Sequence, residues 1–164
     1  MSDRPPPNRA SQPTPNLAPN PSPHQAPLPA PSADAALLPL MLVYGAASLL
    51  HFVHNAVYLH DYPNLPAWLT AGGVVAAWLL VAGVGVLGYL LYSRVSRVAG
   101  LIVIAVYAVL GFGGLDHYTV APVAAHTVAM NLTILLEAAT AAVLLIFVAR
   151  CALSWALRRV KLRG

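Results

Sequence analysis

The stretch ALLPLMLVYGAASLLHFVHNAVY, residues 36–58, decides the fold. It is apolar for long enough to cross a bilayer, because about 20 helical residues cover the roughly 30 Å hydrocarbon core. It also carries polar groups at helical intervals. Tyr44, Ser48, His51, His54, Asn55 and Tyr58 follow steps of three and four, which places them on one stripe of a helix. A lipid-facing helix has no use for such a stripe, so the pattern predicts a membrane span with one face turned towards other protein.

Three further apolar runs follow, from about Ala67 to Tyr92, from about Val98 to Leu115 and from about Ala124 to Ala149. The connections HDYPNLP, SRVSR and DHYTVAPV are brief. Short connections make consecutive helices antiparallel neighbours. The expected fold is therefore an all-α membrane protein, an up-down bundle of four transmembrane helices over residues 35–150. Composition agrees: 59% of the chain is hydrophobic and 9% charged, with a mean hydropathy of +0.69, whereas a soluble domain carries about 25% charged residues.

The ends differ from this core. Residues 1–34 hold most of the chain's 15 prolines and show no apolar period, so they read as a disordered, Pro-rich cytoplasmic tail. A long proline-rich stretch before a long apolar run does not fit a signal peptide. Residues 151–164 read as a basic juxtamembrane tail suited to the inner membrane surface. Cys151 is the single cysteine, which excludes an intramolecular disulfide and a dithiol relay. The formal charge of +4 comes from residues flanking apolar spans, so it speaks for topology and not for nucleic acid. Arg94 and Arg97 lie in the second connection, and Arg158, Arg159, Lys161 and Arg163 follow the fourth span. The first and third connections contain no Lys or Arg. The positive-inside rule then puts both termini in the cytoplasm of a multi-pass cell-membrane protein.

With that orientation, five of the six histidines gather at the extracytoplasmic face. At 1.5 Å per residue, His54 and His51 lie roughly 8 Å and roughly 13 Å below the outer end of the first span. His126 opens the fourth span, and Met130, Thr133, Glu137 and Thr140 continue its stripe. Met130 falls roughly 9 Å deep and Glu137 roughly 19 Å. Two polar stripes at overlapping depths are expected to face one another. Ionisable groups at bilayer depth are costly, which makes them functional candidates.

Several chemistries use such groups. Neutral imidazole is the commonest metal ligand, so His51, His54 and His126 form one candidate metal set, with Met130 adding a thioether that favours copper. His51 and His126 on separate helices are candidate axial ligands of a haem. Copper or haem b comes first on this reading, with zinc or iron behind. Glu137, with no Lys or Arg partner in its span, is the candidate catalytic group, as a proton acceptor or as a partner orienting a ligand. The expected function is metal or haem binding in a redox or metal-handling role. An accessory subunit whose stripes fasten helices together, and a small proton-coupled carrier, are the alternatives. Partners expected are the lipid bilayer and either further copies or a larger membrane complex, without nucleic acid.

Each residue also has an ordinary structural reading. His51 and His54 can serve as interhelical hydrogen-bond groups, and His126 as a cap. His60 and His117 are expected in solvent, and Asp61 and Asp116 as turn residues. Pairs Gly72/Ala76 and Gly73/Ala77 are expected to be close-packing surfaces within the bundle. The chain lacks a His-Glu-x-x-His motif, paired Glu-x-x-His helices and a phosphate-binding glycine loop.

Overall fold

A computed structural model describes residues 33–161, so residues 1–32 of the segment expected to be disordered lie outside the described residues, as do residues 162–164, while Ala33 and Asp34 already belong to the first helix. The described residues are helical, with no strand. Helix α1 runs Ala33–Val57, α2 Ala71–Arg94, α3 Arg97–Leu110, a single-turn α4 His117–Val120 and a long α5 Val128–Lys161. Four segments are long and apolar enough to cross a membrane: Ala35–Val57, Ala71–Arg94, Arg97–Val120 and Val128–Lys161. The chain is a multi-pass membrane protein by that measure.

Local chemistry sets the boundaries. Thr70 precedes α2 in extended conformation, and its hydroxyl accepts from the Gly73 N–H at 3.1 Å. Ser96 does the same for α3, accepting from the Ala99 N–H at 3.3 Å. Each satisfies one of the N–H groups that a helix start leaves without a partner. The α2–α3 connection is very tight. A Cβ at Gly100 would lie 2.3 Å from the backbone N and Cα of Tyr92, so only glycine lets the two helices meet there.

Helix α1 packs on α2 and α5, and α3 packs on the same two helices. Their shared apolar core includes Leu37, Met41, Tyr44, Ile104, Leu144 and Val148. The Tyr44 and Tyr107 rings lie 4.5 Å apart, and the Tyr44 hydroxyl donates to the Tyr107 carbonyl at 3.2 Å. Lipid-facing positions such as Leu42, Leu80, Ile102 and Ile146 are exposed, as a hydrocarbon solvent permits.

Three expectations need correction. The third span, expected to run to about Leu115, leaves the α-helix at Leu110. Past Leu110 it continues through a 3₁₀ turn at Gly113–Asp116 into α4, which turns part of DHYTVAPV into helical structure. The fourth helix begins at Val128, so His126 precedes it at the end of a 3₁₀ turn over Val123–Ala125. Gly72 and Gly73 are exposed, and a Cβ on Gly72 would meet nothing within 4 Å. The close-packing glycines of α2 are instead Gly85, against the Tyr107 ring, and Gly88, against Ile104. At the other end, residues 151–161 continue α5 without a break.

Candidate functional site

The stripes on α1 and α5 do face each other. Ser48, His51 and Asn55 from α1 are buried, and so are Met130, Thr133 and Glu137 from α5. The deepest pair is His51 and Glu137, whose Nε2 and Oε2 atoms are 3.7 Å apart with both side chains almost wholly enclosed. Gly114, in the 3₁₀ turn after α3, covers this pair. A Cβ there would sit 3.2 Å from Glu137 Oε2 and 3.4 Å from His51 Nε2.

Neighbouring groups set the tautomers. The Thr133 hydroxyl donates to the Met130 carbonyl at 3.0 Å, so its oxygen is left to accept. His51 Nδ1, 3.4 Å away, then carries the proton and donates to it. In the neutral ring Nε2 is a bare lone pair, and it is this atom that faces Glu137. His126 Nδ1 lies 3.1 Å from the Pro122 carbonyl, an acceptor only, so this ring too is protonated on Nδ1. The Asn55 amide donates to His117 Nε2 at 3.2 Å, which gives His117 the same tautomer.

The rings form a connected group. His51 and His117 have centroids 5.6 Å apart, His117 and His126 6.1 Å, and Tyr62 and His117 4.8 Å. Tyr62 is 4% exposed although it lies in the first connection. Burial pushes its phenol above the ordinary tyrosine pKa, so the hydroxyl keeps its proton and donates to His54 Nδ1 at 2.9 Å. The two connections at this end are tied together. Asn64, in the left-handed region at φ 58°, donates from its side chain to the Val120 carbonyl at 2.9 Å. Tyr118 donates to Asn131 Oδ1 at 2.8 Å, and Asn131 donates in turn to the Val123 and His126 carbonyls.

Satisfaction is incomplete along this seam. Ser48 Oγ, Asn55 Oδ1, His126 Nε2 and Glu137 Oε2 are buried without a hydrogen-bond partner. Buried polar atoms are nearly always paired, so three on facing helices and a fourth in the connection before α5 mark a place where packing was not the governing demand.

The expected ligand set fares unevenly. His51, His126 and Met130 are buried around the same seam, whereas His54 is half-buried and engaged with Tyr62. Met130 Sδ accepts the Thr127 N–H at 3.4 Å. Among the described residues no three His, Cys, Asp or Glu side chains stand close enough together to hold a metal ion. His60 is exposed, as expected, and Asp61 and Asp116, expected as turn residues, are exposed at the ends of 3₁₀ turns. His117 is the clear correction: expected in solvent, it is 9% exposed and central to the ring cluster, because the helical turns after α3 fold it inward. The buried Tyr62 escapes sequence reasoning, because no periodic pattern in its connection signals burial, although Pro63 beside it marks a turn. Comparison with family models, curated proteins and solved structures gives no match for this chain.

Proposed function

We propose that this chain is a proton-handling membrane protein, in which the Glu137–His51 pair holds an exchangeable proton and exchanges it through the His- and Tyr-lined end of the bundle. The supporting observation is the placement of Glu137 Oε2 3.7 Å from His51 Nε2 in a buried seam. Thr133 fixes His51 with its lone pair towards the carboxyl. A proton leaving Glu137 Oε2 for His51 Nε2 converts an acid and a neutral imidazole into a carboxylate and an imidazolium. Closing the 3.7 Å gap by about 0.5–0.8 Å makes it a hydrogen bond of ordinary reach. Enclosure matters here, because charge in a low dielectric is costly unless a partner compensates it at once. His117, Asn55, Tyr62 and His54 lead from this pair towards the exposed His60.

In the same reading the four spans alternate in direction across a cell membrane, with both termini and the Arg/Lys-rich connection in the cytoplasm. The His-rich end then opens outside, and the function is that of a small proton-coupled carrier. The test is reconstitution into liposomes carrying an internal pH dye under an imposed potential. Wild type should acidify or alkalinise the lumen with the sign of the potential, and E137Q should reduce the rate to that of empty vesicles. Equal rates for wild type and E137Q sink the proposal.

One observation favours a second reading, metal or haem ligation. His126 directs its Nδ1–H to a backbone carbonyl and leaves Nε2 bare and buried, the arrangement typical of a metal-ligating histidine. His51, with Nδ1–H on Thr133, has the same tautomer, and Met130 is likewise buried. Copper, zinc or iron in stoichiometric amount, or a Soret band, that disappears in a His51/His126 double alanine variant would establish it. Metal-free, colourless protein that takes up no added metal would remove it.

A further inference from the structure

A hollow of about 450 Å³ lies between α1 and α2, outside the seam that holds Glu137 and His51. Gly45 and Ala46 of α1 and Trp78, Ala82 and Gly85 of α2 line it, and Tyr107 reaches it from α3. No charged residue is on its wall. Two glycines admit the tyrosine. A Cβ at Gly85 would lie 2.9 Å from Tyr107 Cζ, and one at Gly45 would lie 3.1 Å from the Tyr107 hydroxyl oxygen. The tip of the ring therefore sits between α1 and α2, with its hydroxyl at the hollow.

That hydroxyl is the one feature of the hollow that packing leaves unexplained. Tyr107 is 5% exposed. Its carbonyl accepts from Tyr44, whereas its hydroxyl has no hydrogen-bond partner among the described residues. Depth narrows what could pair with it. Gly45 lies ten residues inside the Ala35–Val57 span, and Gly85 nine residues from the end of Ala71–Arg94. At 1.5 Å per residue both are about 14–15 Å from a span end, near the middle of a hydrocarbon core roughly 30 Å thick. Water is absent at that depth, and a hydroxyl without an acceptor is costly there.

Acyl chains would fill the hollow but bring no acceptor, and phospholipid esters stay at the interface. A charged ligand would find no counter-charge on the wall. The occupant that satisfies the site is neutral, dissolves in hydrocarbon and carries an acceptor oxygen on a compact ring. Trp78, half-buried at the rim, gives such a ring an aromatic surface to stack on. We infer that this hollow binds a lipid-soluble quinone, with one ring carbonyl accepting from the Tyr107 hydroxyl and the apolar tail leaving towards lipid. The site is built by α1, α2 and α3 and does not depend on the proton-handling reading.

The test uses the full-length chain in detergent micelles and a decyl-substituted benzoquinone, whose ring quenches tryptophan fluorescence. Trp68→Phe with Trp155→Phe leaves Trp78 as the one fluorophore. Trp68→Phe with Trp78→Phe leaves Trp155, near the end of α5, as a gauge of collisional quenching. Trp78 is expected to be quenched saturably, at a lower quinone-to-detergent ratio than Trp155. Tyr107→Phe keeps the ring against Gly85 and removes only the donor, so the half-saturation ratio should rise about fivefold, the effect of one hydrogen bond. Ala46→Leu fills the hollow from an exposed position and should abolish saturation. Equal, non-saturating quenching of Trp78 and Trp155 would overturn the site. An unchanged ratio in Tyr107→Phe would overturn the hydrogen bond and the quinone assignment with it. So would displacement of the quinone by an equal concentration of decylbenzene, which has ring and tail but no acceptor and would leave a groove for hydrocarbon alone.

Discussion

The seam between α1 and α5 has two halves built on the same helices to opposite rules. Towards the basic end, Leu37, Met41, Leu144 and Val148 interlock with Ile104 and Tyr107 of α3, and the buried Tyr44 hydroxyl finds a carbonyl. Towards the histidine end, Ser48, His51, Asn55 and Glu137 occupy equivalent buried positions, and Ser48, Asn55 and Glu137 each leave one polar atom without a hydrogen-bond partner. An unpaired buried polar group costs about 1–3 kcal/mol. The first half alone gives α1 and α5 reason to associate. The second half spends stability, which is the pattern expected where chemistry and not packing selects the residues.

The comparison can be broken or sharpened experimentally. The largest effect is expected outside both halves, at the joint that holds α3 in place. Gly100→Val puts carbon where Tyr92 backbone already lies 2.3 Å away, and overpacking of that kind costs about 3 kcal/mol or more. Thermal unfolding in detergent should show the variant largely unfolded at temperatures where wild type is intact. Next comes Leu144→Ala in the apolar half, where 0% exposure places the loss at about 2–5 kcal/mol by denaturant titration.

The third prediction has the opposite sign. Replacing His51 with Phe and Glu137 with Leu together removes the polar pair without leaving half of it behind. Such exchanges are neutral or stabilising by about 1–4 kcal/mol, and liposome proton flux should vanish in the same variant. A large loss of stability would instead make the polar half a fastening device, as an accessory subunit would need. The smallest change is Gly114→Ala. Its Cβ would press on Glu137 and His51 at 3.2 and 3.4 Å, so stability should move by less than about 1 kcal/mol while proton flux slows measurably. Unchanged flux in that variant would separate the Gly114 turn from the pair it covers.

Much of this was legible in the chain. Hydropathy and the roughly 20-residue span length locate the helices without any tertiary information. Helical phase alone puts Tyr44, Ser48 and His51 on one face and Met130, Thr133 and Glu137 on another, and both faces are buried. Phase could not choose between His54 and Asn55, which lie three and four residues beyond His51. Both steps fall near the stripe, and the packing of α1 on α5 decides for Asn55. His117 was beyond reach for another reason: a glycine-rich turn after α3 can lead outward to solvent or inward.

The amino-acid sequence by itself determined four membrane-length helices, a basic end, a histidine end and two polar stripes, because periodicity and transfer free energy are local properties. Only the tertiary structure decided that the stripes meet and that Thr133 turns the lone pair of His51 towards Glu137. It alone brought His117 and Tyr62 in from the connections and engaged His54 with Tyr62. Those outcomes depend on helix crossing and on how two short connections fold across one end, where the Asn64 side chain reaches the carbonyl of Val120, 56 residues further along the chain.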